Sequence, residues 1–473
     1  MYQFSGKLKT FSIALMIIGV LGVGYSFLTA PKTIEDAKEI LASQHDSHGA
    51  AASHDVAKTD AHTTKDTHKK TTHNEVKTDA HETDTSANDE HAAHALHALQ
   101  NKPWAAVYVA LFFFLGISLL VLAFYASQRV AQAGWSVVLF RVMEAITANI
   151  VPASILMFVM IMTSAGHLNH LFVWMGEGVF DPTSENYDAI VDGKKWWLNV
   201  PGWTIRSVVY LLGWNVYRYF ARKLSIAEDT ANDGNKTYKK NFHASVIFLV
   251  FFMITESMMS WDWIMGLDPH WFSTLFGWYV LATMLVSAIT VIAFVTIYLR
   301  SKGHLPFVND SHIHDLAKFM FGFSVFWTYL WFAQFMLIWY ADMTEETVYF
   351  IARFNDYKLP FLGMVVMNFV FPILLLINSD YKSKPWFVVI GGVVILAGHY
   401  IDVFVMIMPA TVGDQWFFGI PEFSALLFFI GLFIFVTFRA FSKAAPLAKG
   451  NPFLKESEDF HYYIIEHEGE ENH

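Results

Sequence analysis

The chain has 473 residues, 54% of them hydrophobic and only 16% charged, with a formal net charge of −10. That balance excludes an ordinary soluble domain, and with no basic stretch to meet phosphates it excludes a nucleic-acid partner. The absence of cysteine removes disulfides, thiolate-ligated iron–sulfur clusters and covalent c-type haem from this chain together.

Apolar runs recur along the sequence, each long enough to cross a hydrocarbon core about 30 Å thick as a helix. They predict an all-α integral membrane protein of about ten spans: residues 11–28, 105–127, 137–164, 199–220, 243–264, 271–299, 315–341, 359–379, 386–408 and 422–441. The first follows Lys7 and Lys9 and precedes Leu28-Thr29-Ala30, which faintly resembles a signal-peptidase site. It is longer than the usual signal core of about 7–15 residues, so residues 1–30 read as a retained anchor helix. Residues 31–103 form a polar linker with 13 Asp/Glu against 8 Lys and ten of the 21 histidines. Its composition reads as a disordered tether, with transient copper or zinc binding as the sharper alternative.

Lysine and arginine in the short loops set the orientation. With the N-terminus inside, inner segments hold Arg129, Arg222, Lys223, Lys236, Lys239, Lys240, Arg300, Lys302, Lys382 and Lys384, against Lys194, Lys195 and Arg353 outside. Both termini, including a tail at 446–473, are thus expected in the cytoplasm and the linker in the periplasm.

Ionisable residues within spans are expensive and point to function by default. In GHYIDVFVMIMP (398–409), His399 and Asp402 share one face of the ninth span; Asn199, Arg206 and Tyr210 share one face of the fourth. From the inner ends of their predicted spans, His399 and Asp402 lie about 20 and 24 Å along, and Glu256 about 21 Å. A carboxylate beside a histidine can accept and pass protons, but the same residues serve equally as interhelical hydrogen bonds that fix packing. Trp196, Trp197, Trp203, Trp261, Trp263 and Trp271 are expected mostly as an interfacial belt, with flanking of a flat ring as the alternative. One deep histidine is too few for a bis-histidine haem or a haem–copper site, and no nucleotide-binding fingerprint is present. DWIMGLDP (262–269) and DVFVMIMP (402–409) each set a proline seven residues after an aspartate at the expected outer end of a helix, a hint of internal duplication.

Three further stretches join the first: KKWWLNVPGWTIRSVVY (194–210), SWDWIMGLDPHWFSTLFGWY (260–279) and HDLAKFMFGFSVFWTYLWFAQFMLIWYADMTEET (314–347). Together they resemble the NrfD-like, polysulfide reductase type membrane subunits, over about residues 104–455, and most nearly the smaller of the two such subunits of bacterial alternative complex III. The resemblance implies two tandem four-helix bundles, at 104–270 and 271–410, followed by a last span within 411–445. It implies a subunit of a quinol:cytochrome c, or oxidase-linked, oxidoreductase in the bacterial inner membrane. The partners would be a homologous NrfD-like subunit, an iron–sulfur protein, c-type cytochromes, a terminal oxidase and lipids, with haem and iron–sulfur clusters held by those other chains. Quinol or menaquinol would fall to the homologous partner, with Arg206 and His399 the contacts in any quinol site here. No cofactor would be covalently bound to this chain and no metal held by it. The expectation is a proton path through His399, Asp402, Glu256, Asp262, Arg206, Tyr210 and Gln334. Two other readings compete, a docking subunit without chemistry and an ion-coupled secondary transporter, the latter drawn from the repeat and the midplane charges.

Overall fold

The computed structural model describes residues 2–40 and 80–462, which form helices and no strand. Nine of these helices are long and apolar enough to cross a membrane. They are α1 (Gly6–Thr29), α2 (Ala80–Val130), α3 (Gly134–Ala165), α5 (Lys236–Trp263), α6 (Phe276–Ser301), α7 (Asp310–Ala341), α9 (Lys358–Leu376), α10 (Pro385–Val412) and α11 (Ile420–Phe441). The tenth expected span forms α4 (Val200–Glu228), 29 residues long but less apolar than the others, because Arg206, Asn215, Arg218 and Arg222 interrupt it. A short amphipathic helix, α8 (Thr344–Asn355), follows α7.

The expected linker at 31–103 is narrower than its composition implied. Residues 34–40 are helical, and α2 begins at Ala80, well before the predicted span. The histidine-rich stretch 41–79, with its metal-binding alternative, and residues 463–473 lie outside the described residues.

Helix α2 is the hub. Its apolar window is 89% buried, against 17% for α1, and it packs on α3, α5, α6, α10 and α11. Helix α4 lies against α3 and α5, α7 and α10 pack on α6, which also touches α5, and α9 packs on α7 and α10. Perimeter helices turn Ile205, Leu212, Ile247, Ile254, Leu337 and Leu374 outward, as helices facing lipid do. Close approach relies on small residues. Helix α1 buries only the stripe Ser12, Gly19 and Ser26, laid against α11. There a Cβ on Gly431 would come within 2.6 Å of the Ser12 carbonyl oxygen. A π turn at Val366–Val370 swells α9, and its buried Asn368 fits against Gly398 of α10, where any side chain would collide with it.

At the end expected in the cytoplasm, three arginines meet three carboxylates, with Arg129, Arg141, Glu144 and Glu228 buried and Arg222 and Asp229 partly so. Arg129 donates to both oxygens of Glu228 at 2.8 and 3.1 Å, and Asn241 adds a third bond to Glu228 at 2.9 Å. Arg141 donates to Glu144 at 2.7 Å and Asp229 at 2.5 Å. Arg222 reaches Glu144 at 3.4 Å and the Ala440 carbonyl of α11 at 2.9 Å. Charges this deep are tolerated only when each is paired, and the pairing fastens α2, α3, α4, α5 and α11 at one end. The segment after α11 closes over the same end. Ser457 donates to the Trp135 carbonyl at 2.7 Å and Asn309 to the Phe460 carbonyl at 2.7 Å.

Glu228→Ala leaves the Arg129 guanidinium buried without its carboxylate. It is expected to cost about 3–5 kcal/mol, seen as a lower thermal unfolding temperature in detergent, with Lys240→Ala on the exposed surface unchanged.

Candidate functional site

Two buried aspartates carry the polar chemistry of the spans. Asp262, at the end of α5, is wholly buried. Arg206, from the second turn of α4, grips both its oxygens through Nε and Nη2 at 2.8 and 2.7 Å, a bidentate charge-assisted pair. Tyr210, one turn further on, donates to the same carboxylate at 2.8 Å. The guanidinium also lies 4.1 Å over the Trp197 ring. Tryptophans frame the pair: the Trp203 indole donates to the Asp262 carbonyl at 3.0 Å and the Trp263 indole to Ser207 at 2.9 Å. The shared face expected for Arg206 and Tyr210 is thus the face that meets Asp262. Asn199, placed on the same face, instead caps α4 by accepting from the Gly202 amide at 2.7 Å.

Two expectations need correction here. Trp203, Trp263 and Trp271 are core residues, not an interfacial belt; of the six tryptophans only Trp196 is largely exposed. Glu256 does not join the Asp262 cluster. Six residues is about 600° of helix, which leaves the two carboxylates about 120° apart around α5. Glu256 is buried, its Oε1 makes no hydrogen bond, and no hydrogen bond or ion pair among the described residues links it to Arg206, Tyr210 or Asp262.

Asp402 lies inside α10 and, among the described residues, has no lysine or arginine nitrogen within 4 Å. The Tyr279 and Thr283 hydroxyls of α6 and the Trp327 indole of α7 all donate to it, the last two at 2.8 Å. His399 is fully buried one turn earlier, with Nδ1 3.6 Å from Asp402 Oδ2, beyond hydrogen-bond reach. Neither ring nitrogen makes a hydrogen bond, and the Trp327 ring packs on its edge at 5.3 Å. A small space beside Asp402, walled by Gln334, Trp331, Tyr279, Tyr349 and Met406, leaves about 10 Å³ for the centre of a water molecule, about the size one water needs. Gln334 Nε2 and Trp331 Nε1, both in that wall, make no protein hydrogen bond. The structure therefore gathers His399, Asp402 and Gln334 in one cluster and Arg206, Tyr210 and Asp262 in another. No hydrogen bond or ion pair among the described residues joins the two.

The space at Asp402 is water-sized, whereas Arg206 backs, through Trp197, an outer pocket of about 290 Å³ walled by Trp196, Trp197, Trp261, Trp271, Phe272 and Lys194.

The Asp–Pro offset does not mark equivalent places: Pro269 lies past the end of α5, and Pro409 lies inside α10. A tyrosine relates the two clusters better. Tyr108 of α2 and Tyr279 of α6 occur in the similar contexts YVA and YVLA, and donate to the Trp263 carbonyl and to Asp402 respectively. Sequence reasoning missed Tyr279, Thr283 and Trp327, although Tyr279 and Thr283 are one turn apart and Trp327, Trp331 and Gln334 form a helical stripe. No family model matches the chain, and no curated protein matches it either.

Arg206→Ala strands the Asp262 charge in the core and is expected to destabilise by about 3–5 kcal/mol, whereas the Arg206→Ala/Asp262→Ala double variant loses much less than the summed single effects. Denaturant unfolding of the unmutated protein, the two single variants and the double variant in detergent checks this; additive losses would contradict a direct pair.

Proposed function

We propose that this chain is a proton-handling membrane subunit of a quinol:cytochrome c, or oxidase-linked, oxidoreductase of the alternative complex III type, with Asp402 as the group that takes up and releases protons. One observation carries the reading. Asp402 is a buried carboxylate with no lysine or arginine nitrogen within 4 Å among the described residues, set beside a water-sized space in whose wall Gln334 Nε2 and Trp331 Nε1 lack protein partners. A carboxylate balanced by hydroxyl and indole donors alone can change its protonation without stranding an opposite charge. A water bridging Gln334 and Asp402 delivers or removes the proton. His399, 3.6 Å from the carboxylate with both nitrogens free, takes the next position after a small ring movement.

The Asp262 cluster plays another part. Its carboxylate is held bidentate by Arg206 and again by Tyr210, so its charge is already balanced and it acts as an anchor between α4 and α5. That observation favours the docking-subunit reading for this half of the molecule. In this scheme α2 to α5 make the first of two tandem four-helix bundles, α6, α7, α9 and α10 make the second, and α1 and α11 flank them. The buried arginine network then marks the cytoplasmic end of an inner-membrane protein. Haem, iron–sulfur clusters and the main quinol site belong to partner chains, in keeping with a sequence that has no cysteine to ligate a cluster.

Asp402→Asn and Gln334→Leu in the assembled complex, scored for quinol oxidation and for proton release in sealed vesicles, test the reading. Proton release per electron is expected to fall in both while electron transfer continues. Unaltered values of both quantities in Asp402→Asn would make Asp402 a packing hydrogen bond and the chain a docking subunit. Purification without haem and iron–sulfur chains would point instead to a stand-alone transporter.

A further inference from the structure

A much larger space lies away from both aspartates. A crevice of about 710 Å³ runs between α2, α6, α10 and α11. Its α11 wall extends from Glu422 to Phe438, about 24 Å of helix, comparable to the hydrocarbon of one membrane leaflet and more. Phenylalanine, leucine and isoleucine dominate that wall. Its main charged group is Glu422, which is 2% exposed. Glu422 Oε2 accepts from the Gly419 amide at 2.8 Å and so caps α11, but Oε1 has no hydrogen-bond partner. A buried carboxylate oxygen left unmatched is costly enough to call for a donor.

A buried cation lies near that end of the crevice. Lys102 of α2 is 7% exposed, with its ammonium 3.5 Å over the Phe417 ring and no carboxylate within 4 Å among the described residues. Phe417, the ring beneath that ammonium, lies two residues before Gly419, whose amide donates to Glu422. The crevice thus has one negative group in its lining and one buried cation just outside that lining, unpaired with each other, above a long apolar wall.

We propose that this crevice binds a phospholipid whose headgroup carries a primary amine. The ammonium donates to Glu422 Oε1, the phosphate faces Lys102, and an acyl chain lies along α11 toward Phe438. Charge complementarity selects this occupant. An anionic headgroup without an amine leaves Glu422 unmatched and facing phosphate, and a choline head brings a cation that has no N–H to donate. An isoprenoid chain suits the wall but brings no phosphate for Lys102. The inference rests on the chain's being membrane-embedded and not on proton transfer at Asp402.

The test uses the full chain, in whatever complex it purifies, reconstituted in nanodiscs of equal parts phosphatidylethanolamine, phosphatidylcholine and phosphatidylglycerol, with retained lipid counted by mass spectrometry after detergent exchange. Phosphatidylethanolamine is expected to be enriched. Glu422→Gln, whose amide oxygen can still cap α11, is expected to lower that enrichment about tenfold, the loss of one charge-assisted hydrogen bond. Leu426→Trp, which fills the crevice and keeps Glu422, is expected to lose the lipid altogether. Equal retention of the three lipids, enrichment undiminished in Glu422→Gln, or an isoprenoid quinone as the molecule that Leu426→Trp displaces would each overturn the proposal.

Discussion

Holding a carboxylate out of water is the constraint on which the layout of this molecule depends. Hydrocarbon offers a charge no solvation, so each buried acid must be answered from within the protein or by something bound to it. The chain answers in different ways at different places. Glu144, Glu228 and Asp229 are matched by Arg129, Arg141 and Arg222, and Asp262 is clasped by Arg206. Asp402 is met only by hydroxyls and an indole. Cation-matched acids are locked, because changing their charge would strand a guanidinium. A buried acid met only by neutral donors leaves no cation stranded when its protonation changes.

The helix packing follows from where these groups must meet. The arginine network draws α2, α3, α4 and α5 together at one end, and Arg206 with Tyr210 ties α4 to α5 toward the other. Around Asp402, donors from α6 and α7 converge on α10. Helices α2 and α6 occupy the middle and are the most enclosed. Between these fixed points, association in lipid gains little from apolarity and relies on close backbone approach. Gly431 against Ser12 and Gly398 against Asn368 supply such approaches. The π turn that presents Asn368 borders the same helix that carries His399 and Asp402, so the irregular backbone gathers where the unmatched polar atoms are.

Much of the candidate site was legible before any coordinates. Arg206 and Tyr210 were placed on one face by their spacing, and they meet one carboxylate. His399, Asp402 and Gln334 were singled out because polar groups stand out in apolar spans, and they share one neighbourhood. Legibility failed where residues look ordinary. Tyr279, Thr283 and Trp327 suit any membrane helix, and nothing in their spacing says that they point at Asp402. Glu256 stood out as strongly as Asp262, but its angular position carries it away from the cluster. Glu144, inside the predicted span 137–164, is missed, and Glu228, beyond the predicted span 199–220, reads as solvated; only the fold shows that both are buried against arginines.

By itself the sequence determined that the chain is helical, that most of its long helices are apolar enough to enter a membrane, and which of their residues carry charge there. Those follow from local chemistry: hydrophobic run length sets spans, and 100° per residue sets faces. Tertiary structure alone decided which acid meets which donor. Pairing depends on how distant helices rotate and approach, and in a membrane that is governed by small residues and shape, whose signal along the chain is weak. The same aspartate in an apolar helix can become an anchor or a proton site. Whether a guanidinium or a hydroxyl arrives opposite it makes the difference, and that is settled between helices rather than within one.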